Sequence, residues 1–298
     1  MGTYYLQAAE VLPPNLHHAA AKCASHMQAQ TEEFRLRIGQ PLTLVKGDGE
    51  ALLDSPLIWE EDLRNVLELA SNSSVHTVLD QICSGFIVIH GGHRIGLCGE
   101  IAMKNGQVHA YRRLSSMAIR IARPLHGVGA EVLSQINVQG RLCSTLILAP
   151  PGAGKTTLLR EIVRRVSDGI GVCSRRVGLA DERREVSALR DGLCQLDVGK
   201  KTDVIADCPK AVALEILLRG MNPQVLAVDE ITAERDIEAM AWAAGCGVTL
   251  LATAHGSQLN DLSQRPLYQR MMELRLFERI VVLENNNGVR TAKAEVIS

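Results

Sequence analysis

The sequence predicts an α/β protein, in which a mostly parallel sheet with helices on both faces follows a smaller α+β domain. Three observations lead to this prediction. In the second half of the chain, short apolar segments alternate with helical patterns, as they do in βαβ units. Several of these segments are almost wholly apolar, which is expected when helices cover both faces of a sheet. In the first half, strict apolar–polar alternation around glycine turns instead indicates hairpins.

Length and composition indicate a globular protein of about two domains, at roughly 100–200 residues per domain. The chain has 298 residues, of which 46% are hydrophobic and only 3% aromatic. Few aromatic rings are therefore present to stack on nucleic-acid bases. The formal net charge is −1, and no run of Lys or Arg occurs. We therefore expect neither nucleic-acid binding nor direct membrane insertion.

The sequence also shows no signal for export from the cytosol or for insertion into a membrane. The first residues have no basic start or apolar stretch, so no signal peptide is expected. No apolar run approaches the roughly 20 residues that span a bilayer. The eight cysteines form no C-x-x-C pair, which favours reduced thiols in a reducing compartment. These observations predict a cytoplasmic protein.

The predicted N-terminal α+β domain covers residues 1–125. Helical patterns and alternating patterns divide it into segments. The expected elements, in order, are one or two helices within 1–30 broken at Pro13-Pro14, a hairpin over 34–46, helices within 58–83 broken at 71–74, a hairpin over 85–103, a turn at 104–107 and a strand over 117–123.

Residues 126–140 are predicted to form a linker and one connecting helix, and residues 141–298 the α/β domain. The apolar segments of this domain mark its strands. They lie at 143–149, 177–181, 225–229, 248–253 and 280–284, and a last hairpin follows.

The most specific motif is a glycine-rich turn between a strand and a helix, within residues 143–166. Gly152 and Gly154 allow the backbone to curl so that its N–H groups point at phosphate oxygens. The N-terminus of the following helix favours anions. Lys155 would contact the β- and γ-phosphates, and the hydroxyl of Thr156 would bind Mg²⁺. The pattern predicts a nucleotide-binding phosphate loop.

The phosphate loop departs from the strict pattern at its first position, where Ala149 replaces glycine. Alanine is acceptable there if its φ is negative, as it is at the end of a strand. The predicted nucleotide contacts are Pro151, Gly152, Ala153, Gly154, Lys155, Thr156 and Thr157.

An apolar strand that ends in Asp229-Glu230 is the second motif. Next to a phosphate loop, such a strand predicts that Asp229 binds Mg²⁺ together with Thr156. Glu230 would orient or deprotonate the attacking water. The alternative is a helix-capping acid with a solvated neighbour. The absence of N-K-x-D and T-K-x-D after the loop favours ATP over GTP.

Two further strands end in polar residues at the edge where such sheets bind ligands. One ends with Asp181, Glu182 and Glu185, which could support the metal or the water. A salt-bridged surface is the alternative for the two glutamates. The other strand ends with Thr253 and His255, which could sense the γ-phosphate. For His255 the alternative is a histidine that is hydrogen-bonded at a strand end.

Long ordered segments of the chain resemble the stage III sporulation protein AA family, which is related to the hexameric ATPases of type II and type IV secretion. The resemblance runs over nearly the whole chain and implies a RecA-like P-loop NTPase domain. The segments that carry it include EEFRLRIGQPL, SGFIVIHGGHRIGLCGE, SSMAIRIARP, APPGAGKTTLLRE, GLADERREVSAL, DVGKKTDVIADCPKA, LLRGMNPQVLAVDEI and GVTLLATAHG.

The resemblance assigns motif positions to the residues already singled out and adds one arginine. Asp181, Glu182 and Glu185 fall in an acidic box, His255 in a histidine box, and Arg219 in an arginine motif just before Walker B; Lys155 and Thr156 belong to Walker A, and Asp229 and Glu230 to Walker B. Secretion ATPases often lack the Walker B aspartate. Because this chain keeps Asp229, the glutamates of the acidic box are expected to matter less here.

The resemblance also implies that the N-terminal domain supplies arginines to the nucleotide. The candidates are Arg112, Arg113, Arg120 and Arg123, with Arg94 a weaker one. Alternation places Arg120 on the opposite face of its strand from Ile119 and Ile121, and we therefore include it among the catalytic candidates. The alternative is that these arginines are solvated on a sheet face.

The leading hypothesis is a Mg²⁺-dependent ATPase of the secretion type. By resemblance it would form a homo-hexamer, act from the cytoplasm on the mother-cell side, and energise or gate a membrane channel during endospore formation. Two alternatives remain, a RecA-like nucleic-acid translocase and a nucleotide-gated scaffold with little turnover.

Overall fold

The structure is a computed structural model that describes residues 3–47, 49–71, 79–123, 128–256, 265–286 and 289–296. The chain divides into two compact units. The N-terminal unit contains Met1–Arg123 together with Arg190–Gln195, and the C-terminal unit contains Pro124–Leu189 and Leu196–Ser298.

The N-terminal unit is a six-stranded antiparallel sheet with helices packed against it. The strands lie in the order β3-β2-β1-β6-β5-β4. The helices are α1 (Thr3–Ala9), α2 (Pro14–Ala21), α3 (Ser25–Gln30), α4 (Glu60–Ala70) and α5 (Leu79–Cys83). The strands are β1 (Thr31–Arg37), β2 (Pro41–Lys46), β3 (Gly49–Leu57), β4 (Phe86–Val88), β5 (Arg94–Lys104) and β6 (Gln107–Arg120).

Local sequence explains several of these elements. The helix break at Pro13-Pro14 and the turn between β1 and β2 occur where the sequence predicts them. Helix α4 begins where the backbone N–H of Trp59 donates to the Asp62 carboxylate at 2.8 Å, an N-terminal capping contact. Its buried residues, Leu63, Val66 and Ala70, recur at helical spacing. Residues 72–78, which include most of the predicted break and the start of the second helix, lie outside the described residues.

The C-terminal unit is built on a seven-stranded sheet in the order β13-β10-β14-β15-β9-β16-β17. All neighbouring pairs are parallel except the final hairpin of β16 and β17. The strands of this part of the chain are β7 (Asn137–Val138), β8 (Arg141–Leu142), β9 (Thr145–Ala149), β10 (Val177–Asp181), β11 (Leu189–Arg190), β12 (Leu193–Cys194), β13 (Thr202–Ala206), β14 (Val225–Val228), β15 (Thr249–His255), β16 (Arg279–Asn286) and β17 (Val289–Val296). All of them belong to the C-terminal unit except the hairpin residues from Arg190 to Gln195, which belong to the N-terminal unit. Of these, β7 with β8 and β11 with β12 form separate two-stranded hairpins.

Helices cover both faces of this sheet, as predicted. They are α6 (Val128–Ile136), α7 (Lys155–Asp168), α8 (Lys210–Gly220), α9 (Glu234–Gly245) and α10 (Pro266–Glu273). Helices α6 and α7 contribute to one apolar core, and α8, α9 and α10 to the other. Every residue of β9, β10 and β14 is buried, which explains their almost wholly apolar sequences.

Some elements were missed by the sequence prediction. The edge strand β13 (TDVIA) shows no clear alternation, and β11 and β12 have only two residues each. Residues 126–140 were expected to form a linker and one connecting helix; α6 is a helix in this region, and the small hairpin of β7 and β8 that follows it was not predicted. Residues 124–127 lie outside the described residues. Within the described part of the chain, none of the helices has the length and apolar character required to traverse a bilayer.

Candidate nucleotide-binding site

The phosphate loop joins the end of β9 to the first residue of α7. Gly152 and Gly154 have φ values of 76° and 99°, which are readily adopted only by glycine. Because α7 begins at Lys155, the first amides of the helix have no intrahelical acceptor and can bind an anion. Ala149 is the last residue of strand β9 and is not among the residues with positive φ. The missing first glycine therefore causes no backbone conflict.

The order of the strands places the other motifs beside this loop. Strands β10, β14, β15 and β9 are adjacent and parallel. Their carboxyl ends therefore lie along one edge of the sheet, which is where such folds bind ligands. The residues at these ends are Asp181 on β10, Asp229-Glu230 after β14, His255 on β15 and the phosphate loop after β9.

Walker A and Walker B candidates contact each other directly. The hydroxyl of Thr156 donates to Asp229 Oδ2 at 2.9 Å. On the other side, the hydroxyl of Thr253 donates to Asp229 Oδ1 at 2.7 Å and accepts the backbone N–H of Glu230, also at 2.7 Å. Thr253 thereby fixes both acids at once. Glu230 has a φ of 56°, a strained conformation for a residue other than glycine.

The chemistry of this pair fits a divalent cation. Burial raises the pKa of Asp229, and the hydrogen bonds from Thr253 and Thr156 oppose that rise. A bound cation would favour the ionised carboxylate. Mg²⁺ prefers oxygen ligands and is held by one or two protein groups together with phosphates and waters. Thr156 and Asp229 are the residues that would hold it.

Lys155, His255 and Glu230 form a second network at the same edge. Glu230 Oε1 lies 2.8 Å from His255 Nε2, and the Lys155 ammonium lies 3.2 Å from His255 Nδ1 and 3.1 Å from Nε2. The Lys155 ammonium, which only donates, is thus within hydrogen-bond distance of both ring nitrogens of His255, and the Glu230 carboxylate is within hydrogen-bond distance of Nε2. The backbone N–H of His255 donates to the hydroxyl oxygen of Tyr268 at 3.2 Å.

The acidic box forms a loop whose backbone is hydrogen-bonded to one of its own carboxylates. Buried Asp181 accepts the backbone N–H groups of Glu185, Val186 and Ser187 at 2.8–3.1 Å, together with the Ser187 hydroxyl. The guanidinium of Arg160, on α7, donates to the carbonyl oxygens of Glu185 and Val186. Asp181 is thus a structural centre of the loop in this structure, and Arg160 ties the loop to the helix that begins with Lys155.

Glu182 has a partner of its own. It forms an ion pair with buried Lys210, whose ammonium also donates to the Thr232 hydroxyl at 3.4 Å. This contact agrees with the salt-bridge alternative raised for Glu182. A small cavity beside the pair is lined by Asp181, Glu182, Arg183, Glu185, Lys210, Asp229, Glu230 and Thr232. Both acid motifs therefore face one space.

Sequence reasoning missed three residues that shape this site. Arg160 lies four residues after Thr156, at the spacing of one helical turn, but nothing in its local sequence identified it. Lys210 and Tyr268 lie 28 and 13 positions along the chain from the residues they contact. Thr253 was noted as a possible phosphate sensor, whereas the structure shows it holding the two acids.

The predicted arginines lie in different places. In the N-terminal unit, Arg120 is exposed on its strand and pairs with Glu33 at 3.4 Å, and Ile119 is buried, as the alternation predicted. Arg123 donates to the carbonyls of Gln28 and Thr31. Its contacts in this structure therefore support the N-terminal unit.

Three other arginine candidates also lie in the N-terminal unit. Arg94 lies over the ring of Phe86, 3.7 Å from its centroid. Arg112 and Arg113 line a cavity of about 270 Å³. A catalytic role for any of them stays a prediction.

Arg219 is separated from the phosphate loop within its own chain. It lies in the last turn of α8 and stacks over Trp242, 5.3 Å from the ring centroid. It lines a groove with Gln224 and Thr249, which adjoin the amino ends of β14 and β15. The phosphate loop follows the carboxyl end of β9, at the opposite edge of the sheet. Arg219 therefore cannot reach the phosphate site of its own chain.

The fold is shared with solved structures of a pilus retraction motor and of DotB ATPases. The pilus retraction motor PilT with bound ADP matches with a TM-score of 0.61 and 16% identity, over 90% of this chain and 79% of that chain. The Yersinia pseudotuberculosis ATPase DotB matches with a TM-score of 0.55 and 14% identity, over 90% and 76%. At these identities the likeness establishes the RecA-like fold.

Sequence comparison is more specific. Stage III sporulation protein AA of Bacillus subtilis (strain 168) is 36% identical over 286 residues, which cover 96% of this chain and 92% of that protein. Residues 9–294 match the family model described as Sporulation stage III, protein AA. The chain belongs to the Sporulation stage III, protein AA family.

Proposed function

We propose that this protein is a Mg²⁺-dependent ATPase that acts as a motor of the secretion type. One observation carries the proposal: Thr156 of the phosphate loop and Asp229 of the acid pair are hydrogen-bonded at 2.9 Å. A phosphate-binding turn and a metal-binding acid in direct contact are the parts that phosphoryl transfer needs.

Each residue has a role that its position supports. The loop amides and Lys155 bind and orient the phosphates. Bound Mg²⁺ would neutralise charge on the β- and γ-phosphates. Glu230 accepts a proton from the attacking water, and His255 holds the Glu230 carboxylate at 2.8 Å. Because Lys155 also contacts His255, phosphate binding would draw Lys155 from the ring and so change the restraint on Glu230.

Assembly and cellular role are further parts of the proposal. Related ATPase folds and the sporulation family support a homo-hexamer that works with a membrane complex during endospore formation. The position of Arg219, away from the phosphate loop of its own chain, is compatible with a role at a neighbouring subunit. We place the protein in the cytoplasm, on the mother-cell side, attached to the membrane through its partners.

ATP hydrolysis by three variants tests the catalytic assignment. Lys155→Ala should lose binding and turnover, and Glu230→Gln should keep ATP binding but lose turnover. Glu238→Gln, an exposed acid on α9, is the matched control and should behave as the wild type. Tight ATP binding with no turnover in the wild type would instead favour the scaffold, and DNA-stimulated, salt-sensitive turnover would favour the translocase.

Light scattering with and without ATP tests the ring. A strictly monomeric protein with ATP would argue against a hexamer.

Arg120→Ala tests the predicted catalytic arginine. This variant should reduce turnover only in the assembled state. Normal turnover in that state would remove Arg120 from the catalytic set.

A further inference from the structure

Nearly all of the hairpin of β11 and β12 lies in one unit while the chain on either side of it lies in the other. Its residues Arg190–Gln195 are part of the N-terminal unit, although the chain before and after them belongs to the C-terminal unit. The chain therefore crosses between the units at Leu189–Arg190 and again at Gln195–Leu196. The first crossing follows Glu185 of the acidic loop by about five residues, and the second follows it by about ten.

Arg190 fastens this hairpin to the N-terminal unit. Its guanidinium donates to the carbonyl oxygens of Ala70 at 3.1 Å and Val88 at 3.3 Å, and its side chain is only 12% exposed. Ala70 is the last residue of α4, which has no basic residue in its last turn. Carbonyls at a helix C-terminus need outside donors, and a cation is favourable there. Arg190 supplies both the hydrogen-bond donor and the positive charge, although it lies 120 positions from Ala70 along the chain.

A second contact fixes the other end of the hairpin. The backbone N–H of Gly91 donates to Gln195 Oε1 at 3.3 Å. Gly91 has a φ of 79°, and a Cβ there would collide with the side chain of Gln7. The turn that receives Gln195 is therefore built for glycine. Arg190 and Gln195 together attach both strands of the hairpin.

The opposite end of the same segment is the acidic loop. Within the C-terminal unit, the backbone N–H of Leu196 donates to the carbonyl of Ser187 at 3.0 Å, so the chain segments that lead into and out of the hairpin are bonded to each other. Val186, Ser187 and Ala188 are buried. About five residues of chain connect Glu185 to Arg190, a reach of at most about 18 Å. A buried connection this short has little slack to absorb a displacement of the loop.

We infer that this hairpin transmits the nucleotide state of the acidic loop to the N-terminal unit, with Arg190 as the positioning residue. The inference rests on the proposed function, because it requires nucleotide beside Asp229 and Glu185. Phosphate and metal charge bound beside Asp229 and Glu185 displaces the acidic loop. The hairpin, which Arg190 and Gln195 hold to the N-terminal unit, transmits this displacement to the C-terminus of α4.

Hydrogen–deuterium exchange of the full chain, with and without a non-hydrolysable ATP analogue and Mg²⁺, tests the inference. In the wild type, nucleotide should change exchange at 152–157, at 181–187 and at the ends of α4 and β4. In Arg190→Ala the first two changes should remain and the third should disappear. Loss of the charged contact should also raise basal exchange at the α4 C-terminus by roughly tenfold or more.

Further variants separate coupling from simple support. Arg190→Lys, which can satisfy one carbonyl, should recover part of the nucleotide response, and Gln195→Ala should weaken it. Leu193→Ser changes a side chain that is 69% exposed on the same hairpin and should respond as the wild type. A full nucleotide response at α4 in Arg190→Ala, or none there in the wild type with 152–157 protected, would overturn the inference alone. No protection at 152–157 would refute the proposed function as well.

Discussion

Thr253 offers the most direct test of how the acid pair is held. Thr253→Val keeps the shape of the side chain and removes the hydroxyl, so Asp229 loses the donor at 2.7 Å and the Glu230 amide loses its acceptor at 2.7 Å. A hydrogen bond to a charged group contributes about 1.5–3 kcal/mol. At about 1.4 kcal/mol per factor of ten, Mg²⁺ should bind about 10- to 100-fold more weakly during turnover.

Steady-state ATP hydrolysis over a range of Mg²⁺ concentrations measures this effect. The midpoint for Mg²⁺ should rise, and kcat at saturating Mg²⁺ should remain lowered because the Glu230 backbone has lost its anchor. Loss of the buried bonds should also lower the free energy of unfolding by about 2–3 kcal/mol. Thermal unfolding followed by circular dichroism measures this second effect.

Thr253→Ser is the control, because it keeps the hydroxyl and removes only a methyl group. It should retain Mg²⁺ dependence close to that of the wild type. If Thr253→Val had the kcat and Mg²⁺ midpoint of the wild type, the claim that this hydroxyl organises Asp229 and Glu230 would be refuted.

Three further predictions concern other buried groups. Burial lowers the pKa of His93 to about 4, so the folded state resists protonation of this ring. The free energy of unfolding should therefore be highest above about pH 6.5 and should fall by up to about 3 kcal/mol as the pH is lowered toward 4. Denaturation of His93→Asn at several pH values should show a flatter pH profile. Arg160→Lys keeps the charge but cannot serve both loop carbonyls, so kcat should fall about tenfold while ATP affinity measured by titration is kept. Tyr5→Phe removes the buried hydrogen bond to the Ala20 carbonyl and should lower the free energy of unfolding by about 1–2 kcal/mol, as measured with urea; unchanged values in any of these variants would contradict the corresponding argument.

Much of the fold was predictable because local patterns of apolar and polar residues indicate where helices and strands form. Strand β10 occupies the predicted residues 177–181, since a continuous apolar run bounded by polar residues has few alternatives. Strand β13 was missed because its residues are all only partly buried, so their sequence carries no strong apolar signal. Its pairing with β10 is a tertiary effect.

The candidate site shows the same division. Lys155 and Thr156 were predicted from the sequence because a phosphate loop needs glycines, a lysine and a hydroxyl at fixed spacing. Glu182 was ambiguous, because only the approach of Lys210 on α8 decides that it forms an ion pair. Arg219 was singled out only by resemblance to a family motif, and only the direction of the strands shows which edge of the sheet it adjoins.

The sequence by itself determined the α/β fold class and predicted the phosphate-binding and acidic motifs, since turn geometry and burial periodicity act over a few residues. Tertiary structure alone decided which side chains meet: Thr253 with Asp229, Lys155 with His255, and Arg190 with the end of α4. These contacts join residues 24, 100 and 120 positions apart. No local preference of the chain encodes them, because they depend on the order in which the strands are arranged.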